Sequence, residues 1–128
     1  MLENSRTFSG ISVDDLDAAR RFYGSVLGFS VQDEYGGFRV ALPGGSELWV
    51  YEKPNHEPAS FTVLDFVVPD IDAAVDELNA AGVQTKIYPD EQFWTDEKGI
   101  ARGRAANRGP DIAWFRDPAG NVLAVLQP

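Results

Sequence analysis

The stretch VDDLDAARRFYGSVLGF at residues 13–29 decides how the chain is read, because VPDIDAAVDELNAAGV at residues 68–83 repeats it. Val13 aligns with Val68, Asp15 with Asp70, Leu16 with Ile71, Asp17 with Asp72, Ala18 with Ala73 and Ala19 with Ala74. In the first copy Leu16, Ala19, Tyr23, Val26 and Leu27 recur at helical spacing; in the second Ile71, Ala74, Val75, Leu78 and Ala81 do the same. Both copies are predicted to be amphipathic helices. Asp15 and Asp70 stand where a carboxylate accepts the free N–H groups of a first turn, and Asp17 and Asp72 suit the positive end of the helix dipole. Gly28 and Gly82 are placed to end the two helices.

Working outward, a strand-like run precedes each helix: TFSGISV at 7–13 and FTVLDFVV at 61–68. SVQDEY, GFRVALP and ELWVYEK follow the first helix, with Gly44-Gly45 read as the hairpin turn between the last two. VQTKIYP, DIAWFRD and NVLAVLQ follow the second, with Asp117-Pro118-Ala119-Gly120 as a turn. The chain is therefore an α+β domain of two tandem βαβββ modules, residues 1–54 and 61–128, joined by a proline-broken linker at 55–60. Residues 90–109, DEQFWTDEKGIARGRAANRG, lack clear periodicity and read as a lid or binding loop, or as a solvated surface loop.

With 128 residues the chain makes one domain that buries roughly two thirds of its unfolded surface. It has no cysteine, which removes disulfides, thiolate nucleophiles and zinc-thiolate sites. No apolar run approaches the ~18 residues of a membrane span, and MLENSRTFSG reads as a cytoplasmic beginning. Twenty acidic against 11 basic side chains give a net charge of −9, which repels phosphate backbones; no nucleic acid or membrane partner is expected. There is no GxGxxG or GxxxxGK[ST] phosphate loop.

The duplicated helix start, the phrase RRFYGSVLGF and the closing DPAGNVLAVLQ resemble the vicinal oxygen chelate superfamily over nearly the whole chain. That group includes glyoxalase I, bleomycin-resistance proteins, fosfomycin-resistance enzymes, methylmalonyl-CoA epimerase and extradiol dioxygenases. The resemblance implies a curved mixed sheet around a cleft, and a homodimer. Metal-using members carry His or Gln on the first strand of each half, seven positions before the helix-start Asp, and Glu on the last strand of each half. Those positions fall here on Phe8, Val63, Trp49 and Ala124, none a metal donor. The resemblance thus points to a member without the metal site, close to the bleomycin-resistance branch, with no cofactor implied. The one histidine, His56, lies in the linker and reads as an exposed loop residue.

If the family's inward positions carry over, Phe8, Gly10 and Ser12 point into the cleft from the first strand, and Val63, Asp65 and Val67 from the fifth. Counting across Gly44-Gly45 places Trp49 opposite Val40 and Tyr51 opposite Phe38, an aromatic cleft wall of Phe38, Val40, Trp49 and Tyr51, or else ordinary core. Asp65 is a lone carboxylate in an apolar strand: a general base or cation site if buried, otherwise a salt-bridge partner of Arg39 or Arg20, or a rim residue. Phe93 and Trp94 are candidate lid residues over a flat ligand. Three readings follow: a metal-independent binder of a small planar or cationic molecule; a lyase- or isomerase-type enzyme using Asp65 or another carboxylate such as Glu47 as base; or a structural module whose cleft is filled by its own side chains.

Overall fold

A computed structural model describes residues 1–89 and 93–128 of the chain. Two compact units emerge, Met1–Pro58 and Ala59–Pro128. Among the described residues, no helix is long and apolar enough to cross a membrane.

The first unit runs β1 (Ser9–Val13), α1 (Leu16–Arg20), β2 (Ser30–Glu34), β3 (Gly37–Ala41) and β4 (Glu47–Glu52). Its sheet has the order β1-β4-β3-β2, with β1 parallel to β4 and the other pairs antiparallel. The second unit repeats the plan: β5 (Thr62–Val67), α2 (Ile71–Ala80), β6 (Ile100–Arg102), β7 (Asp111–Arg116) and β8 (Val122–Gln127), in the order β5-β8-β7-β6. Both are βαβββ modules.

The repeated aspartates do the same work in both copies. Asp15 accepts the Ala18 N–H at 3.0 Å through its side chain, and Asp70 accepts that of Ala73 at 3.1 Å. Both caps have extended backbone, so each strand turns directly into its helix. Helix α2 ends where expected, with Gly82 at φ 86°. Helix α1 is shorter than its periodicity predicts. After Arg20 the backbone widens into a π-type turn over Arg21–Val26, in which the Leu27 N–H reaches the Phe22 carbonyl at 2.8 Å. The adjacent rings of Phe22 and Tyr23 are both buried and meet edge to face, while Val26 is left exposed.

The β3–β4 register differs from the sequence expectation by one residue. Arg39 lies opposite Trp49, Val40 opposite Leu48, Phe38 opposite Val50 and Gly37 opposite Tyr51. The turn is the three-residue Pro43–Gly45, closed by the Leu42 N–H on the Ser46 carbonyl at 2.9 Å, and not a two-residue Gly44-Gly45 hairpin. One added loop residue moves every side chain to the other face. Phe38 and Val40 therefore belong to the core with Tyr23, Leu48 and Val50 rather than to a wall with Trp49. Gly37 holds this register: a Cβ there would stand 2.0 Å from the Val50 carbonyl oxygen.

The predicted strand VQTKIYP is not a strand either. The second strand of the second module is Ile100–Arg102, inside the stretch expected to be irregular. Side chains hold residues 83–89 in place of a ladder: the Thr85 hydroxyl donates to the Lys98 carbonyl at 2.6 Å, and Lys86 Nζ donates to Thr95 Oγ1 at 2.6 Å. The DPAGN turn is locked by Asp117, which is buried and accepts N–H groups from Ala119, Asn121 and the Asn121 side chain at 2.9–3.0 Å. Its motif is architectural.

Replacing Asp15 or Asp70 by Ala should each lower stability by about 1 kcal/mol in urea denaturation, with Asn at either position costing only a few tenths. Equal midpoints for wild type and both Ala variants would refute the capping role.

Candidate functional site

In each module the helix, α1 or α2, packs on one face of its sheet. On the open face of the first module the strand pairing sets Gly10 beside Trp49 and Ser12 beside Tyr51. With no side chain at Gly10, the Trp49 and Tyr51 rings approach the space a Cβ would occupy, to 3.8 and 3.9 Å. The two rings are nearly parallel, 16° apart in plane with centroids 6.5 Å apart. A cavity of about 190 Å³ adjoins Trp49, lined also by Phe8, Arg6, Glu34, Arg39 and Glu47. Its charges neutralise one another: Arg39 pairs with Glu34 and, at 3.2 Å, with Glu47, which also takes Arg6 at 2.9 Å. His56 is half-buried rather than exposed, with Nδ1 2.7 Å from Ser12 Oγ.

In the second module Ala124 sits between Asp65 on β5 and Trp114 on β7, and is fully buried. Trp114 belongs to a three-ring cluster with Tyr88 and Phe93, at centroid distances of 5.4 and 5.1 Å. The expected pair Phe93-Trp94 is split: Phe93 joins this cluster, whereas Trp94 is 72 % exposed, with the Arg108 guanidinium 5.1 Å from its ring centroid. Asp65 is exposed, so the burial that would make it a base is absent. Nor do Arg39 and Arg20 serve it: the first pairs with Glu34 and Glu47, the second with Asp17 and Asp33. Asp90, part of the expected loop, lies outside the described residues, as do Glu91 and Gln92.

A family model described as Glyoxalase/Bleomycin resistance protein/Dioxygenase superfamily matches residues 7–125. The chain belongs to that superfamily. Among solved structures it is similar to TnmS3, an antibiotic binding protein from Streptomyces sp. CB03234, at 26 % identity and TM-score 0.63, covering 98 % of both chains. It is also similar to an integron cassette protein from the mobile metagenome of the Halifax Harbour sewage outfall, at 17 % identity and TM-score 0.67, covering 98 % of this chain and 99 % of that one. A third is the fosfomycin resistance protein FosX from Listeria monocytogenes, at 12 % identity and TM-score 0.67, covering 98 % and 93 %. No curated protein matches.

The superfamily's metal positions can be tested against the donors present. Phe8 and Trp49 border one cavity, and Ala124 is buried directly opposite Trp114 on the neighbouring strand; with Val63, none carries a ligating side-chain atom. Among the described residues no group of three His, Asp or Glu side chains is placed to hold a metal ion. The residues at these positions do not fit the family's metal. Two residues that face these positions escaped the sequence reading. Arg39 lies directly opposite Trp49, and Trp114 directly opposite Ala124. Counting across the three-residue turn Pro43–Gly45 finds Arg39, and counting across Asp117–Asn121 finds Trp114.

A separate acidic and basic network ties α2 to β6. Arg102 binds Asp72 through both terminal nitrogens at 2.7 and 2.9 Å and reaches Asp96 at 3.2 Å. That hydrogen bonding holds the Asp72 carboxyl below its usual 3.8. A depressed carboxylate contributes stability above about pH 3.8, and the contribution is lost as pH falls through the lowered value. Arg102→Ala should move the Asp72 titration upward toward the ordinary carboxylate range, as followed by carboxyl-carbon NMR; an unchanged midpoint would show that the pair does not form in solution.

Proposed function

We propose that this protein binds a small planar or cationic molecule on the open, aromatic sheet face, without a resident metal, and does so as a homodimer. The observation that carries this reading is the near-parallel Trp49–Tyr51 pair, with Trp49 beside Phe8 on one cavity, two positions at which the resemblance places metal ligands in metal-using relatives. Indole and phenol faces stack on flat ligands and attract cations through the ring quadrupole. Sequestration requires no catalytic group, and the carboxylates nearest the rings, Glu34 and Glu47, are both engaged by guanidinium groups. Likeness to TnmS3, whose own description is an antibiotic binding protein, supports a binding role. The dimer is supported by the first strand of each module, an edge strand flanked by exposed Phe8 and, in the second, by exposed Phe61 and Val67.

A panel of planar drugs and aromatic cations should include compounds that quench tryptophan fluorescence saturably. Trp49→Ala should weaken the best of them at least ~10-fold, the scale of an aromatic anchor. Prior treatment with a chelator should leave the affinity unchanged. A requirement for added metal, or no saturable quenching across the panel, would overturn the reading. Analytical ultracentrifugation should give twice the chain mass at micromolar concentration; a monomer would remove the dimer from the proposal.

A further inference from the structure

The second module holds a cavity of about 310 Å³, lined by Phe93, Trp94, Arg102, Arg108, Ile112 and Trp114 among others. That size lies at the small end of the ~300–1,000 Å³ typical of small-molecule pockets, enough for a ligand of two or three rings. Among the described residues its lining contains two guanidinium groups and no carboxylate, in a chain whose net charge is −9. The balanced charges of the first module's cavity make this contrast sharper.

The two arginines differ in their commitments. Arg102 is bound to Asp72 and Asp96. Arg108 has no carboxylate partner among the described residues and stands over the Trp94 indole. Its loop is held in shape: the Arg108 N–H donates to the Gly103 carbonyl at 2.8 Å, and the buried Asp111 accepts the Arg104 N–H at 3.0 Å. The aromatic walls are equally braced. Trp114 is held by Phe93 and Tyr88, and Ile112, two residues earlier on β7, shares its face. Trp94 takes a left-handed backbone, φ 52°, uncommon for a residue with a side chain, and its indole is mostly exposed at the cavity.

We infer that this cavity is a ligand site for a planar aromatic anion, a carboxylate or phenolate on two or three fused rings. The rings lie against Trp114 and Ile112 with Trp94 as a second aromatic surface, and Arg108 donates to the anionic group. The guanidinium is planar and weakly hydrated, so it stacks on an indole and still presents its donor edge to an oxyanion. All of these residues belong to the second module, so the site stands independently of Trp49.

The test is calorimetric titration of the full chain with 2-naphthoate, 2-naphthalenemethanol and 2-naphthylmethylammonium. Naphthoate should bind with one site per chain and more tightly than either analogue. Arg108→Gln should weaken naphthoate by about 10-fold or more, the scale of a charge-assisted hydrogen bond, while leaving the neutral alcohol within about two-fold. Trp94→Ala should weaken both. The inference is overturned if naphthoate does not bind, if the ammonium binds as tightly as the carboxylate, or if Arg108→Gln leaves naphthoate binding intact. A planar compound whose binding depends on Trp49 but on neither Arg108 nor Trp94 would sustain the function proposed above even where naphthoate fails to bind and this second site is overturned.

Discussion

A four-stranded sheet with a single helix has two faces and only one cover. In the first module α1 and the turn after it lie over Val13, Phe38, Val40, Leu48 and Val50, all essentially removed from solvent. In the second, α2 covers Ala113, Phe115, Leu123 and Val125 in the same way. Since side chains alternate along a strand, choosing these residues for the core assigns their neighbours to the uncovered side. Trp49, Tyr51 and Arg39 in the first module, and Trp114 in the second, are each presented on the uncovered face of their own sheet as a consequence of where its helix docks. Apolar surface left open in this way costs free energy in water unless something covers it, which is why the open faces are the place to look for function.

The architecture was legible because it is written in short-range signals. The Asp caps, the apolar spacing of α1 and α2 and the terminal glycines each act within a few residues, and the repeat of the pattern gave two independent readings of one plan. What failed depended on counting across turns. Reading Gly44-Gly45 as the turn omitted Pro43 and shifted Phe38 and Val40 from the core to the open face. Thr85 and Lys86 alternate as a strand would, yet their side chains bind carbonyl and hydroxyl groups and leave the pairing to Ile100–Arg102, whose three residues are too few to announce themselves by periodicity. The site was legible in part: Phe8 and Trp49 line one cavity as the ruler of the repeated aspartates indicated, whereas Asp65, read as a possible buried base, is on the surface.

The two modules share a backbone plan and have diverged in what they display. At equivalent places on the third strand of each module, opposite Trp49 and opposite Ala124, one module has a guanidinium and the other an indole. The first has an aromatic residue on its last strand and a charged partner; the second has a small residue there and an aromatic partner. Ala124 can be small because Trp114 supplies the bulk beside it. Duplication thus gave two scaffolds with the same register, and exchange of large and small residues between adjacent strands gave them different surfaces.

The side-chain tether at Thr85 and Lys86 has an evolutionary meaning. β6 has only three residues, and Thr85 and Lys86 before it are fastened by their side chains rather than by a strand ladder. Insertions or substitutions there leave the ladder of β5, β8 and β7 untouched. The module can therefore exchange the chemistry around its aromatic cluster while the packing beneath Ala113, Phe115 and Leu123 is inherited unchanged, a separation of the variable from the constant within one small sheet.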